Sequence, residues 1–174
     1  MSTYSNQPEN FNYFNPIGFK FEVDKLPNVN FFCQSVNLPG INLGVTNVNT
    51  PFKDYPIPGD KIDFNELRIS FIVDEELKNW LEIYNWIIGL GYPYSTEQHS
   101  NLIRSNSQGK YSQGILFILS SHKNVQYKVV FDRIFPISLS DIDMNSLSSD
   151  TTTVIADVSF SYTIYNIERI ISDV

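Results

Sequence analysis

Outside the carboxylates, the groups best suited to covalent or acid–base chemistry are few: two histidines, His99 and His122, and one cysteine, Cys33. A nucleophilic enzyme needs a serine or thiol within hydrogen-bond reach of a base that a third group orients. Neither histidine has an acid and a nucleophile arranged around it in that way. No G-x-S-x-G elbow and no glycine-rich phosphate loop occurs in the chain. Cys33 follows Phe31 and Phe32 and reads as a buried, inert thiol, and a single cysteine excludes an internal disulfide. His99 stands in a polar stretch without a metal-ligand partner at suitable spacing, so it reads as solvated.

The nearest approach to a metal motif is Asp141, Asp143 and Asn145, which match positions one, three and five of an EF-hand loop. Ser146 stands where that loop turns on glycine, and Thr152 where calcium takes a bidentate glutamate. The run therefore reads as a turn rich in Asx residues. Carboxylate pairs for glycoside hydrolysis can be drawn from Glu22, Asp60, Asp63 and Glu66, but nothing in their spacing selects one pair. No catalytic residue, metal site or cofactor site is assigned, and the chain is expected not to be an enzyme. The net charge of −7 and the pI near 4.7 oppose tight nucleic-acid binding, which depends on lysine and arginine neutralising phosphates. They do not oppose a surface along which DNA passes without sticking.

These residues must be held by a fold. The length of 174 residues suits one domain, and 42% hydrophobic with 14% aromatic content argues for a packed core. The expected division is a loose polar arm over 1–15 and a single domain over 16–174. No apolar run is long enough to span a bilayer, and the N-terminus lacks the pattern of a signal peptide, so a cytosol-like compartment and no membrane partner are expected.

The central stretch is PIPGDKIDFNELRISFIVDEELKNWLEIYNW, residues 56–86. Ile57, Pro58, Gly59 and Asp60 carry a turn signal. Ile62 and Phe64 share one parity, and Leu67, Ile69, Phe71 and Val73 the other, so a bulge or bend is expected near Asn65 and Glu66. Asp74 is placed to cap a helix over about 75–88, whose buried stripe is Leu77, Trp80, Leu81, Tyr84, Ile87 and Ile88. The two tryptophans thereby read as core, not as a sugar-stacking platform.

Elsewhere, Phe19, Phe21 and Val23 alternate with charged residues as a half-buried strand, and 29–36 is expected to pair with it as a hairpin. Ile41, Leu43 and Val45 alternate in an extended arm or edge strand. Residues 92–112 read as a long surface loop, which in a compact domain is usually functional. GILFILSS is apolar on both faces and reads as a central strand joined through 121–124 to a strand over 125–131. A short apolar segment follows at 134–139. A final strand over 154–164 sets Val154, Ala156, Val158, Phe160, Tyr162 and Ile164 against Asp157, Ser159, Ser161 and Thr163. The expected fold is mainly β: an antiparallel β-sandwich or partial barrel with one flanking α-helix.

Three motifs in this order resemble the tail tube proteins of contractile-tailed bacteriophages, a superfamily that includes the type VI secretion tube. They are CQSVNLPG at 33–40, IPGDKIDFNELRISFIVDEE at 57–76 with Trp86 beyond it, and IFPISLSDIDMN followed by VIADVSFSYTIY. The resemblance implies homohexameric rings stacked into a hollow tube, with an inner sheet drawn from 62–73, a partner near 41–53, and 154–164. It implies the tail sheath, baseplate tube initiator, tail terminator and tape measure proteins as partners, and a place in the virion after assembly in the host cytoplasm. Asp157, Ser159, Ser161 and Thr163 are then expected to face a lumen through which genomic DNA passes transiently. Ile41, Leu43, Val45, Phe52, Tyr55, Tyr92, Tyr94 and Tyr111 are expected at ring-stacking contacts. The alternatives are a baseplate tube initiator or cap of the same fold, and a monomeric jelly-roll-like carbohydrate-binding module using Tyr92, Tyr94 and Tyr111.

Overall fold

The structure, a computed structural model of the chain, describes residues 13–14, 16–98, 100, 109–144 and 153–170. The expected 1–15 arm lies outside the described residues except for Tyr13 and Phe14. Strand β1 (Phe19–Val23) buries Phe21 and Val23 as its alternation requires. The hairpin expected next does not form. Pro27, which has no N–H to leave unsatisfied, opens helix α1 (Pro27–Phe32) instead. From within that helix Asn30 grips the end of β1, its Nδ2 donating to the Val23 carbonyl at 3.0 Å and its Oδ1 accepting the Val23 N–H at 2.8 Å. The strand β2 (Cys33–Val36) that follows pairs with β5 (Leu67–Ile72), while β1 pairs with β6 (Ser112–Leu119).

The strand β7 (Val125–Leu139) organises the sheet. It bends where Arg133 adopts φ 54° and Pro136 interrupts the ladder. Its first part pairs with β6 and with β9 (Ile164–Arg169), and its last part with β8 (Ile155–Ser161). The segment 134–139 is thus a continuation of β7 and not a separate strand. The strand expected over 154–164 is split for the same reason: because β7 turns, its neighbour leaves it after Ser161 and rejoins it as β9. The hairpin through 121–124 stands as expected, with Lys123 at φ 62° and the Ser120 N–H on the Asn124 carbonyl at 2.8 Å.

The large sheet is antiparallel throughout, ordered β1-β6-β7-β8-β5-β2 with β9 also on β7, and it is not closed into a barrel. It wraps a core of Phe21, Phe71, Phe131, Phe160, Ile69 and Val158, against which Ile83 and Trp86 of helix α2 (Lys78–Gly91) are buried. The expected mainly β, antiparallel, tail-tube-like class holds.

Two local expectations are corrected. Strand β4 (Tyr55–Phe64) runs straight through the supposed turn at Ile57–Asp60. The chain instead reverses over 49–54, where Thr50 Oγ1 donates to the Lys53 carbonyl and accepts its N–H. The break near Asn65 and Glu66 is real and separates β4 from β5.

Helix α2 begins three residues later than expected, because Leu77 is left-handed at φ 58° and Asp74 does not cap it. Its inward residues are Asn79, Ile83, Trp86 and Gly89. The stripe read from the sequence lies nearly half a turn round the helix from these. Leu81 is 42% and Tyr84 41% exposed, and Leu77, Trp80, Ile87 and Ile88 are only partly buried. Asn79 explains the rotation: it is fully buried, donates to the Ile72 carbonyl at 2.7 Å, and accepts the Asp74 and Trp80 N–H groups. A buried polar group with its hydrogen bonds made is tolerated where an unpaired one is not.

Candidate assembly surface

Among the described residues strand β3 (Ile41–Val48) pairs with β4 and with no other strand, so the two form a hairpin arm beside the large sheet. Every residue of β3 is exposed, and all of β4 is exposed but Gly59 and Phe64, which are half-buried. Leu43 lies opposite Ile62, and Val45 opposite Pro58. Residues directly opposite share a face, so Ile41, Leu43 and Val45 make one apolar row with Ile62 and Pro58. The register shifts between Leu43 and Val45, where Gly59 comes so close to the other strand that a Cβ on it would stand 2.8 Å from the Gly44 carbonyl oxygen. Tyr55 is exposed near the tip, and Phe52 at the tip is 99% exposed. A two-stranded ribbon is marginal alone in water, and a contiguous exposed apolar row marks a contact with another molecule.

A second surface lies on the outer side of β8. Ala156, Val158, Phe160 and Tyr162 are buried, which turns Asp157, Ser159 and Ser161 outward. The register sets Ser70 of β5 beside Asp157, and Arg68 of β5 and Ser138 of β7 on either side of Ser159. Ser70 Oγ donates to the Asp157 carboxylate. Arg68 is 3.9 Å from Glu66, both largely exposed, so that pair contributes little. The result is a smooth patch of short hydroxyl side chains with few charges. Thr163 departs from it: it lies in the crossover between β8 and β9, exposed, with its N–H on the Asp132 carbonyl at 3.0 Å.

The structure does not gather all the residues expected at stacking contacts. Ile41, Leu43, Val45, Phe52 and Tyr55 share the arm. Tyr92 and Tyr94 follow the C-terminal end of α2, and both are exposed. Tyr111 precedes β6, its ring 5.8 Å from that of Phe135 and covered by the Arg133 guanidinium at 4.5 Å. Much of the 92–112 loop, including His99 and Arg104, lies outside the described residues, as do Asn145, Ser146 and Thr152 of the EF-hand-like run. Among the described residues no three His, Cys, Asp or Glu side chains are grouped to hold a metal ion, and no helix is long and apolar enough to cross a membrane.

Sequence reasoning missed the residues at the root of the arm. Tyr162 donates its hydroxyl to the Asn65 carbonyl at 2.8 Å, and Tyr165 to the Pro39 carbonyl at 3.0 Å. The available signal was indirect: a proline and a glycine at 39–40, an asparagine at 65, and two tyrosines three apart near the end of the chain.

The described residues thus make an antiparallel sheet that stays open, an exposed apolar arm and a hydroxyl-bearing outer face. The chain matches the family model described as phage tail tube protein over residues 4–168, and it belongs to that family. It is a structural component of a virion tail, not an enzyme. It is 26% identical over 140 residues to the tail tube terminator protein of Enterobacteria phage T4, a match covering 79% of this chain and 77% of the relative. Its fold is shared with the tube-terminating cap of the anti-feeding prophage, at TM-score 0.65 and 15% identity over 98% of this chain and all of that one. The same holds for the sheath/tube terminator of the PVC extracellular contractile injection system, at TM-score 0.62 and 16% identity over 91% and 99%. Family membership sets aside the carbohydrate-binding alternative.

Proposed function

We propose that this chain forms a ring that ends the tail tube, docking on the last ring of tube subunits through its β3–β4 arm. The observation that carries the reading is the arm itself, an exposed apolar ribbon that pairs with no further strand among the described residues. The end position is supported by the sequence similarity to the T4 terminator. In this reading residues 16–174 act as one unit with 1–15 as an arm, six copies make the ring, and tube, sheath, baseplate initiator and tape measure proteins are its neighbours. Tyr92, Tyr94 and Tyr111 lie at further inter-subunit contacts. Asp157, Ser159, Ser161 and Thr163 face the channel, where few cations and many short hydroxyls let the phosphate backbone pass without being held.

A tube-body subunit is the second reading, favoured by the description of the family itself. Immunogold labelling of virions with antibody to this chain separates the positions. Label confined to the head-proximal end of the tube is expected. Periodic label along tubes exposed by sheath contraction would assign the chain to the tube body, and label at the baseplate would make it an initiator. Tails without label would overturn all three.

A further inference from the structure

We propose that Tyr162 and Tyr165 are positioning residues that fix the angle at which the β3–β4 arm leaves the body, so that it meets a neighbouring subunit in register. The inference rests on the docking role just proposed for the arm. Among the described residues the arm's strands pair only with each other, and the arm joins the body at its two roots, Pro39–Gly40 before β3 and Phe64–Asn65 after β4. One tyrosine holds each root: Tyr165 through the Pro39 carbonyl at 3.0 Å, and Tyr162 through the Asn65 carbonyl at 2.8 Å. The roots are tied to each other by the Asn65 N–H on the Gly40 carbonyl at 3.0 Å and by Asn42 Nδ2 on Asn65 Oδ1 at 3.0 Å. Phe64, the last residue of the arm, sits among the same two rings, 6.0 Å from Tyr162 and 5.5 Å from Tyr165, and Phe131 packs beneath both at 5.2 and 5.6 Å.

The need for hydroxyls follows from the lever. A phenylalanine at either position would keep the ring packing. It would leave the root carbonyl, which lies beyond the last rung of the arm's own ladder, without this donor. A ten-residue strand at about 3.3 Å per residue reaches about 30 Å, so a tilt of about 10° at the root displaces the tip by about 5 Å. That is more than the width of a side-chain contact. There is room for such a tilt, because a polar hollow of about 510 Å³ lies beside the root, lined by Asn37, Gly40, Phe64, Asn65, Glu66 and Arg68. Both tyrosines flank the crossover from β8 to β9, whose backbone is held by Thr163 on Asp132. The clamp is therefore mounted on a hydrogen-bonded part of the large sheet.

The test uses the full chain with Cys33→Ser, one spin label at Phe52→Cys and a second on an exposed body position, Tyr127→Cys. Pulsed dipolar distances of the labelled chains, and ring stacking by electron microscopy of the unlabelled chains with Phe52 and Tyr127 in place, are compared for the parent, Tyr162→Phe, Tyr165→Phe and the double variant. The double variant is expected to keep its far-UV spectrum and to broaden the tip-to-body distance distribution at least twofold. Stacking is then expected to need at least tenfold more protein. A distribution as narrow as the parent's would overturn the proposal, and so would a broadened one with unchanged stacking. If the double variant does not fold, Tyr165→Phe alone carries the same comparison, since that ring is only half-buried. A chain lacking 41–64 that still stacks would instead sink the docking role of the arm, which separates the two failures.

Discussion

Cys33 and Glu82 show how burial alone sets the chemistry of single residues here. The Cys33 thiol is half-buried between β2 and β5, and burial pushes its pKa up to about 11. Only the thiolate attacks disulfides. At pH 8 the folded thiol is therefore roughly a hundredfold less ionised than an unperturbed cysteine. Reaction with an aromatic disulfide reagent is expected to run roughly a hundredfold slower in the native protein than in denaturant, and a native rate within threefold of the denatured one would show the thiol to be open. Glu82 on α2 receives a hydrogen bond from Asn28 Nδ2 on one oxygen, while its other oxygen is buried with no hydrogen-bond partner among the described residues. Burial raises its pKa and outweighs the lowering by Asn28. A raised carboxyl pKa means that the folded state keeps its proton longer than the unfolded state, so stability falls as pH rises from the ordinary glutamate range through the raised value. Glu82→Gln keeps an acceptor for Asn28 and removes the charge. Melting curves should place it slightly above the parent at pH 7 and level with it at pH 4; a lower melting temperature at pH 7 would contradict the assignment.

At the scale of elements, Gly59 shows why the sequence misled. Pro58 and Gly59 have the composition of a turn, yet here they lie within a strand, and the glycine is required because β4 crosses close over Gly44. Gly59→Ala forces its Cβ to 2.8 Å from a backbone oxygen, whereas Gly44→Ala meets only the Lys61 carbonyl at an ordinary 3.5 Å. Overpacking of the first kind costs about 1–3 kcal/mol. Because the arm's ladder is shared with no other strand among the described residues, that cost should stay in the arm. Amide exchange is expected to quicken at Val45 to Val48 in Gly59→Ala but not in Gly44→Ala, with the global melting temperature unmoved in both. Faster exchange across the large sheet would show that arm and body unfold together. Elements governed by simple alternation were legible: β1, the β6–β7 hairpin, the apolar row of the arm, and the buried side of β8. Where a long-range polar contact decides, the sequence was silent. Asn30 reaching back to Val23 turns an expected strand into α1. Asn79, buried at the inner face of α2, sets a helix rotation that apolar spacing could not give, since that helix is apolar almost all round. The continuity of β7 through Arg133 and Pro136 depends on its partners switching sides, which no local pattern encodes.

At the scale of the whole molecule, the assembly reading makes opposite demands on two surfaces. The arm must bind and the β8 face must not, and their compositions differ accordingly: apolar rows on one, short hydroxyls around Asp157 on the other. A ring repeats each subunit's charge around one axis, so a single substitution on a channel-facing strand changes the lining many times over. Asp157→Lys removes the carboxylate that Ser70 holds and adds a cation at each repeat. Such cations would exchange counterions with passing DNA and retain it, an effect that is strong at low ionic strength and screened at high. Since Asp157 is exposed and its backbone stays paired to Ser140 on one side and β5 on the other, the subunit should still fold and assemble. Virions carrying Asp157→Lys are therefore expected in normal number, with genome ejection in vitro slowed at least tenfold in 50 mM salt and largely restored in 500 mM. The opposite charge reversal, Lys128→Glu on the other half of β7, should leave ejection unchanged at both. If Asp157→Lys virions eject at the parental rate in low salt, the β8 face does not lie on the path of the DNA, and the channel must be lined by another surface of the subunit.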